Sequence, residues 1–161
     1  MIRNETTEKK LDRQFLIFTL HGENMGFPVS CVREVLLPQE VHPLVHAPDF
    51  VEGVIYVRKC VLVVISLRKR FGLKASEDSS KERIIICKVN TMVLGLIVDS
   101  VSEVLAVPEG NIQQTPEILT LQSMGRYVSG LARVKDSVIT LLDLEKVITR
   151  EELNRLSGIK A

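Results

Sequence analysis

Apolar residues recur at alternate positions over short runs, and small or charged residues break those runs, which is the period of strands and not of helices. Residues 15–20 form one such run, and residues 26–29 form a second after a turn signal at 21–24. Residues 84–89 and 92–98 repeat that layout. Because side chains alternate across a strand, Ile85, Cys87 and Val89 share one face and Ile84, Ile86 and Lys88 share the other. The first set is wholly apolar and is expected to fill a barrel. The second is partly apolar and is expected to meet another part of the protein. Likewise, Leu16, Phe18 and Leu20 are expected inward, and Phe15, Ile17 and Thr19 outward.

The two halves of the chain carry one pattern twice. At an offset of 69 residues, Gly26 falls on Gly95, Val29 on Val98, Glu34 on Glu103 and Val35 on Val104 without a gap. At an offset of 77, Phe50 falls on Tyr127, Gly53 on Gly130, Val61 on Val138 and Leu67 on Leu144. Two copies are too few for a solenoid, so an all-β chain of two pseudo-symmetric small barrels is predicted. The first copy spans about 14–73 and the second about 83–148, joined by a polar, serine-rich linker at 74–82. Residues 1–13 read as a flexible charged tail. Prolines 38, 43 and 48 make the stretch around 41–50 a rigid loop. Residues 68–72 read as one helical turn stopped by Gly72. At the other end, Thr149 and Glu152 form a capping box, with Leu153 and Leu156 as a narrow apolar stripe, so a short C-terminal helix is predicted over 149–158.

Composition narrows the function by exclusion. Hydrophobic residues make up 45% and charged residues 25% of 161 positions, enough apolar area for a packed core. The net charge of +1 and the 4% aromatic content give no nucleic-acid footprint. The start of the chain lacks the apolar stretch of a signal peptide, and no run approaches a membrane span. Cys31, Cys60 and Cys87 each lie in apolar segments and read as buried, reduced thiols, with an intermolecular disulfide as the unsupported alternative.

Candidate chemistry is thin. His42 and His46 have the spacing of helical zinc ligands, but Pro43 and Pro48 argue against that helix. Ser30, Ser66 and Ser100 lack a nucleophile-elbow frame, and nothing pairs Cys31 with a histidine. The carboxylate pairs Glu34 with Glu103 and Asp99 with Asp143 read as equivalent positions of the repeat. Arg68-Lys-Arg70 reads as a solvated basic face. The residues alone favour a protein-binding module, against two rivals: a small-barrel nucleic-acid-binding module and a small enzyme.

Several segments add a resemblance. They are Met25-Gly-Phe-Pro-Val29 with Val32-Arg-Glu-Val35, Ala47-Pro-Asp-Phe-Val-Glu-Gly-Val-Ile55, Val64-Ile-Ser-Leu67, Gly95-Leu-Ile-Val-Asp-Ser-Val-Ser-Glu-Val104, and Tyr127-Val-Ser-Gly130 with Leu141-Leu-Asp-Leu144. In this order they resemble the chemotaxis coupling-protein family, the CheW-like domain, over residues 14–148. The resemblance implies two five-stranded SH3-like barrels in one unit, without catalysis, metal or cofactor. It implies a cytoplasmic adapter that is recruited to membrane-associated receptor arrays and does not itself insert in the membrane. Its implied partners are the regulatory domain of the CheA-type histidine kinase and the cytoplasmic tip of chemoreceptors, and nucleic acid is not among them. Residue by residue, it implies protein-binding roles for Arg58, Glu34 and Asp99, a turn-capping role standing beside the last. It implies structural roles for Gly53 and Gly130, to which the repeat adds Gly26 and Gly95. The chain departs from the family pattern at Tyr56-Val-Arg-Lys59, Val63 and Ser66. Lys59 replaces a glycine, which raises the cost of a positive φ and adds a charge to the hairpin tip, so Lys59 joins the protein-binding set.

Overall fold

The computed structural model describes residues 12–114 and 125–157. Their strands are β1 (Asp12–Leu20), β2 (Glu23–Pro28), β3 (Val32–Leu36), β4 (Val51–Val57), β5 (Cys60–Ser66), β6 (Arg83–Val89), β7 (Met92–Val98), β8 (Ser100–Pro108), β9 (Ile112–Gln114), β10 (Val128–Val134) and β11 (Ser137–Leu142). Three short α-helices accompany them, α1 (Leu67–Arg70), α2 (Leu144–Val147) and α3 (Arg150–Ser157), so the fold is all-β with a short C-terminal helix.

The strands form a six-stranded sheet in the order β8-β1-β2-β11-β10-β9 and a five-stranded sheet in the order β3-β6-β7-β5-β4. Shifted by the repeat offsets, the five-stranded order reproduces the first five strands of the other sheet. The two sequence copies and the two sheets do not coincide, however. Each sheet takes the leading hairpin of one copy (β1–β2 or β6–β7) and the trailing strands of the other. Parallel pairs join the exchanged hairpins to their hosts, Val63 opposite Leu94 in one sheet and Thr140 opposite Met25 in the other.

Three apolar clusters follow from this exchange. Ile55, Val64, Ile84 and Ile86 pack within the five-stranded sheet alone, joined by Leu36 of β3 and Val57 of β4 from its opposite ends. Phe15, Ile17, Val107, Ala132, Ile139 and Leu141 do the same in the six-stranded sheet. Side chains from both ends of a sheet meet only if the sheet curls, as a small barrel requires. The largest cluster is shared, bringing Leu16, Phe18 and Leu20 together with Ile85, Cys87 and Val89. The expected faces are therefore inverted. Ile84 and Ile86 fill the curled sheet, whereas Ile85, Cys87 and Val89 face the other sheet. Strands β1 and β6 are apolar on both faces because each separates two cores, an arrangement that alternation alone does not reveal.

Hairpin chemistry sets the registers. His21 and Gly22 (φ 53° and 78°) turn β1 into β2, and Arg58 and Lys59 (φ 46° and 69°) turn β4 into β5. Two successive left-handed residues match the twist of a tight hairpin. Lys59 thus adopts the positive φ that its replacement of glycine makes costly. Ser66 caps helix α1, its side chain accepting from the Lys69 amide, and Gly72 follows the helix at φ 74°. At offset 77, Asp143 caps α2 by accepting from the Glu145 amide. The repeat partner of Asp143 is therefore Ser66 and not Asp99.

Asp12 and Arg13, expected in the N-terminal tail, already pair with Pro108 and Val107 of β8, and residues 1–11 lie outside the described residues. Backbone pairing needs no apolar side chain, which is why two charged residues can begin a strand. Helix α3 has its capping box: Thr149 Oγ1 accepts from the Glu152 amide, and Glu152 accepts from the Thr149 amide. The Gly158 end of the predicted helix lies outside the described residues. Residues 74–82 contain no strand or helix.

The cysteines divide: Cys87 is buried, Cys31 half-buried and Cys60 exposed. Cys60 follows the hairpin tip directly, and its apolar neighbours do not shield it. Burial pushes the Cys87 thiol well above its ordinary range. A thiol reagent should therefore modify Cys60 in the folded protein and Cys87 only after unfolding. Cys87→Ser should cost about 1–3 kcal/mol, because a hydroxyl would replace a thiol in an apolar site. Rapid native-state labelling of Cys87 in a Cys60→Ser background would contradict the packing.

Candidate protein-binding surface

The tip of the β4–β5 hairpin carries Arg58, Lys59 and Cys60 at the surface. Arg58 donates through Nη2 to Glu34 Oε2 on β3. Strands β3 and β4 are the two ends of the five-stranded sheet, so this ion pair clasps the seam that the curl brings together. The Arg58 side chain remains 72% exposed. Nearby, Tyr56 and Val61 face each other across β4 and β5 and both are exposed. The His42 ring packs edge-on against Tyr56 at 5.3 Å.

The six-stranded sheet repeats this place with different chemistry. Glu103 stands where Glu34 does and Lys135 where Arg58 does, again with positive φ. Here the two residues flank a cavity of about 250 Å³ with Ile17 and Ile139 in its lining. Val104 and Val138, the counterparts of Val35 and Val61, are exposed as well. Four surface valines thus stand at matching positions, two on each sheet.

Asp99 joins the two sheets. It lies between β7 and β8, where the chain passes from one sheet to the other. Arg68 of α1 grips it from Nε to Oδ1 at 2.7 Å and from Nη2 to Oδ2 at 2.5 Å. The His21 amide donates to Oδ2 at 2.9 Å, so Asp99 also anchors the β1–β2 turn. Arg68, chiefly, and the His21 amide hold the Asp99 carboxyl below its ordinary range against the opposing effect of burial. The basic run is thus a solvated face only at Lys69. Arg68 pairs with Asp99, Lys69 with Glu52 and Arg70 with Glu152. Arg70 also donates to the Val147 carbonyl at 2.7 Å and lies 4.4 Å over the Phe50 ring. Burial alone would raise the Glu152 carboxyl, but hydrogen bonds from the Thr149 amide and Arg70 outweigh it and leave it lowered.

The four glycines are placed by close approach. A Cβ on Gly53 would lie 2.1 Å from the His42 carbonyl oxygen, and one on Gly130 would lie 2.6 Å from that of Gln113. Gly26 and Gly95 leave room for Ile17 and Ile84 in the two inner clusters. Among the described residues no group of three His, Cys, Asp or Glu side chains is placed to hold a metal ion.

This architecture has counterparts among known proteins. A family model described as CheW-like domain matches residues 14–152. The chain belongs to the CheW-like family. The chemotaxis protein CheW of Treponema pallidum is 32% identical over 151 residues, covering 91% of this chain and 88% of that one. The CheW of Klebsiella aerogenes is 31% identical over 148 residues, again covering 91% and 88%. The crystal structure of the scaffolding protein TtCheW from Thermoanaerobacter tengcongensis has a TM-score of 0.79 at 30% identity, covering 88% of this chain and 95% of that chain.

Of the sequence-derived residues in this CheW-like chain, Arg58, Glu34 and Lys59 come together at one seam. Asp99 sits apart, in the junction between sheets. Sequence reasoning missed Arg68 and Arg70 as ion-pair partners. One signal was available: Phe50 and Tyr127 fall at the same repeat position, and Arg70 lies over both rings.

Proposed function

We propose that this CheW-like protein is a non-enzymatic adapter that couples chemoreceptors to the chemotaxis histidine kinase. The observation that carries the reading is the duplicated surface: exposed Val35 and Val61 beside the Arg58–Glu34 pair, and exposed Val104 and Val138 beside Glu103 and Lys135. Two related sets of exposed apolar and charged side chains on a body with one shared core suit a protein that holds two partners in a fixed relation. The kinase's regulatory domain and the cytoplasmic tip of the receptor are the partners this reading assigns. The adapter would act in the cytoplasm at receptor arrays, and no described helix is long and apolar enough to cross a membrane.

Arg58 is the residue to test. Only its Nη2 is used by Glu34, so the guanidinium retains donors for a partner carboxylate. Arg58→Ala should leave the melting temperature within a few degrees of wild type, since an exposed ion pair adds little to a fold. In a reconstituted mixture with receptor and kinase, the variant should assemble roughly tenfold more weakly. Lys146→Ala, an exposed cation on α2, serves as the control. A folded Arg58→Ala variant with normal assembly and normal kinase stimulation would remove Arg58 from the coupling surface.

A further inference from the structure

Helix α3 is eight residues long, too short to persist alone in water. Its apolar face is Leu153 and Leu156, both buried in the shared core. Open clefts flank its seat. A solvent-open cleft of about 440 Å³ lies between α3 and the β6–β7 hairpin, with Val89, Met92 and Asn154 in its lining. A second, of about 570 Å³, has Leu156, Val61, Leu62, Met92 and Val93 in its lining. The second has a topological cause. Strands β5 and β7 are in register only from Val63 and Leu94 onward, so their first residues diverge and leave a gap. Both clefts are open to solvent at the edges of the seat, while Leu153 and Leu156 themselves are packed.

The polar end of the seat exists independently of the helix. Arg70 is oriented by the Val147 carbonyl and by the Phe50 and Tyr127 rings, none of which belongs to α3. Its two Nη atoms then take the Glu152 carboxylate at 2.8 Å each. The Arg70 side chain is 13% exposed, so loss of Glu152 leaves a largely buried guanidinium in need of another carboxylate.

We propose that the seat beneath α3 is a helix-binding groove, occupied here by the chain's own C-terminal helix and exchangeable for a partner helix. The pattern that fits is the one α3 carries, a carboxylate followed directly by Leu-x-x-Leu. Arg70 reads the carboxylate, the apolar seat accepts the leucines, and the open clefts beside it have room for bulkier neighbours than α3 supplies. The inference does not depend on the identity of the proteins the adapter joins.

The test uses the chain's own sequence as probe. A dye-labelled peptide of residues 148–161 is titrated into the full chain and into its Leu153→Asp/Leu156→Asp variant, in which α3 can no longer occupy the seat. The peptide should bind the variant at least about tenfold more tightly than the intact chain, because the intact chain offers an open seat only in a minor fraction of molecules. A peptide with Glu152→Gln should bind the variant several-fold more weakly. Equal affinity for both proteins, or no binding to a variant that still melts cooperatively, would overturn the proposal. Hydrogen exchange of the intact chain decides the matter if the variant fails to fold. The α3 amides should then exchange by local opening, insensitive to low denaturant, while β6 amides await global unfolding. Protection of α3 equal to that of β6 would overturn the proposal as well.

Discussion

Replacing Gly53 by alanine should destabilise the protein by about 3–5 kcal/mol, beyond the range of most single substitutions. Gly53 has φ 147°, a conformation that L residues rarely adopt. It also sits at an irregularity of the β4–β5 register, between Val51 and Gly53. The backbone of His42 bonds to Val54 in both directions at 2.8 and 2.9 Å, which draws the His42 carbonyl onto the Gly53 Cα. A methyl group placed 2.1 Å from that oxygen forces the 41–43 segment off β4, with loss of both bonds. Gly130 meets Gln113 in the same way at 2.6 Å, without φ strain, so Gly130→Ala should cost less, roughly 2–3 kcal/mol. Gly72 has φ 74°, but a methyl group added there would meet nothing within 4 Å, so Gly72→Ala should cost only about 1 kcal/mol. Urea unfolding at constant m-value reads all three. A Gly53→Ala variant within about 1 kcal/mol of wild type would show that the loop over β4 is held loosely.

What the sequence discloses and what it conceals divide along locality. The repeat is legible because equivalent strands need the same alternation, the same turn residues and the same glycines beneath crossing backbone. The positive φ at Lys59 is legible because a two-residue hairpin demands it. The exchange of hairpins is not. An apolar pattern on both faces of residues 15–20 and 84–89 says that each strand is buried twice, but not which sheet claims which face. The basic run at 68–70 misleads for a related reason. Arg68 finds Asp99 31 residues away and Arg70 finds Glu152 82 residues away, and local sequence reports only that three cations are adjacent. Asp12 and Arg13 read as tail because their strand is made by backbone pairing to β8, which leaves no side-chain pattern. At the candidate surface, Arg58 and Glu34 are picked out by the family resemblance and Lys59 by turn chemistry, whereas the pairing of Arg58 with Glu34 depends on the curl that brings β3 to β4.

Arg68→Ala should destabilise the fold by about 2–3 kcal/mol, below the full penalty for breaking a buried pair because some solvent reaches both groups. The Arg68 and Asp99 side chains are 15% and 17% exposed. Removing the guanidinium leaves the Asp99 carboxylate with the His21 amide and abolishes the link from α1 to the junction of the sheets. The loss should depend on pH with a definite sign. Asp99 titrates below its ordinary range in the folded protein, so the unfolded chain takes up its proton first as pH falls. Its contribution is therefore complete above the ordinary aspartate pKa, near about 4, and disappears as pH drops through the lowered folded value. In Arg68→Ala the main cause of that lowering is gone, and the acid limb of the stability curve should flatten. Asp99→Asn should flatten it in the same way. The gap between wild type and either variant, measured by urea midpoints, should narrow from about pH 6 to about pH 3. The Glu152 carboxyl, also lowered, is present in all three proteins and cancels in the comparison. A gap of the same size at both ends would assign the loss to packing of the arginine stem and not to its charge.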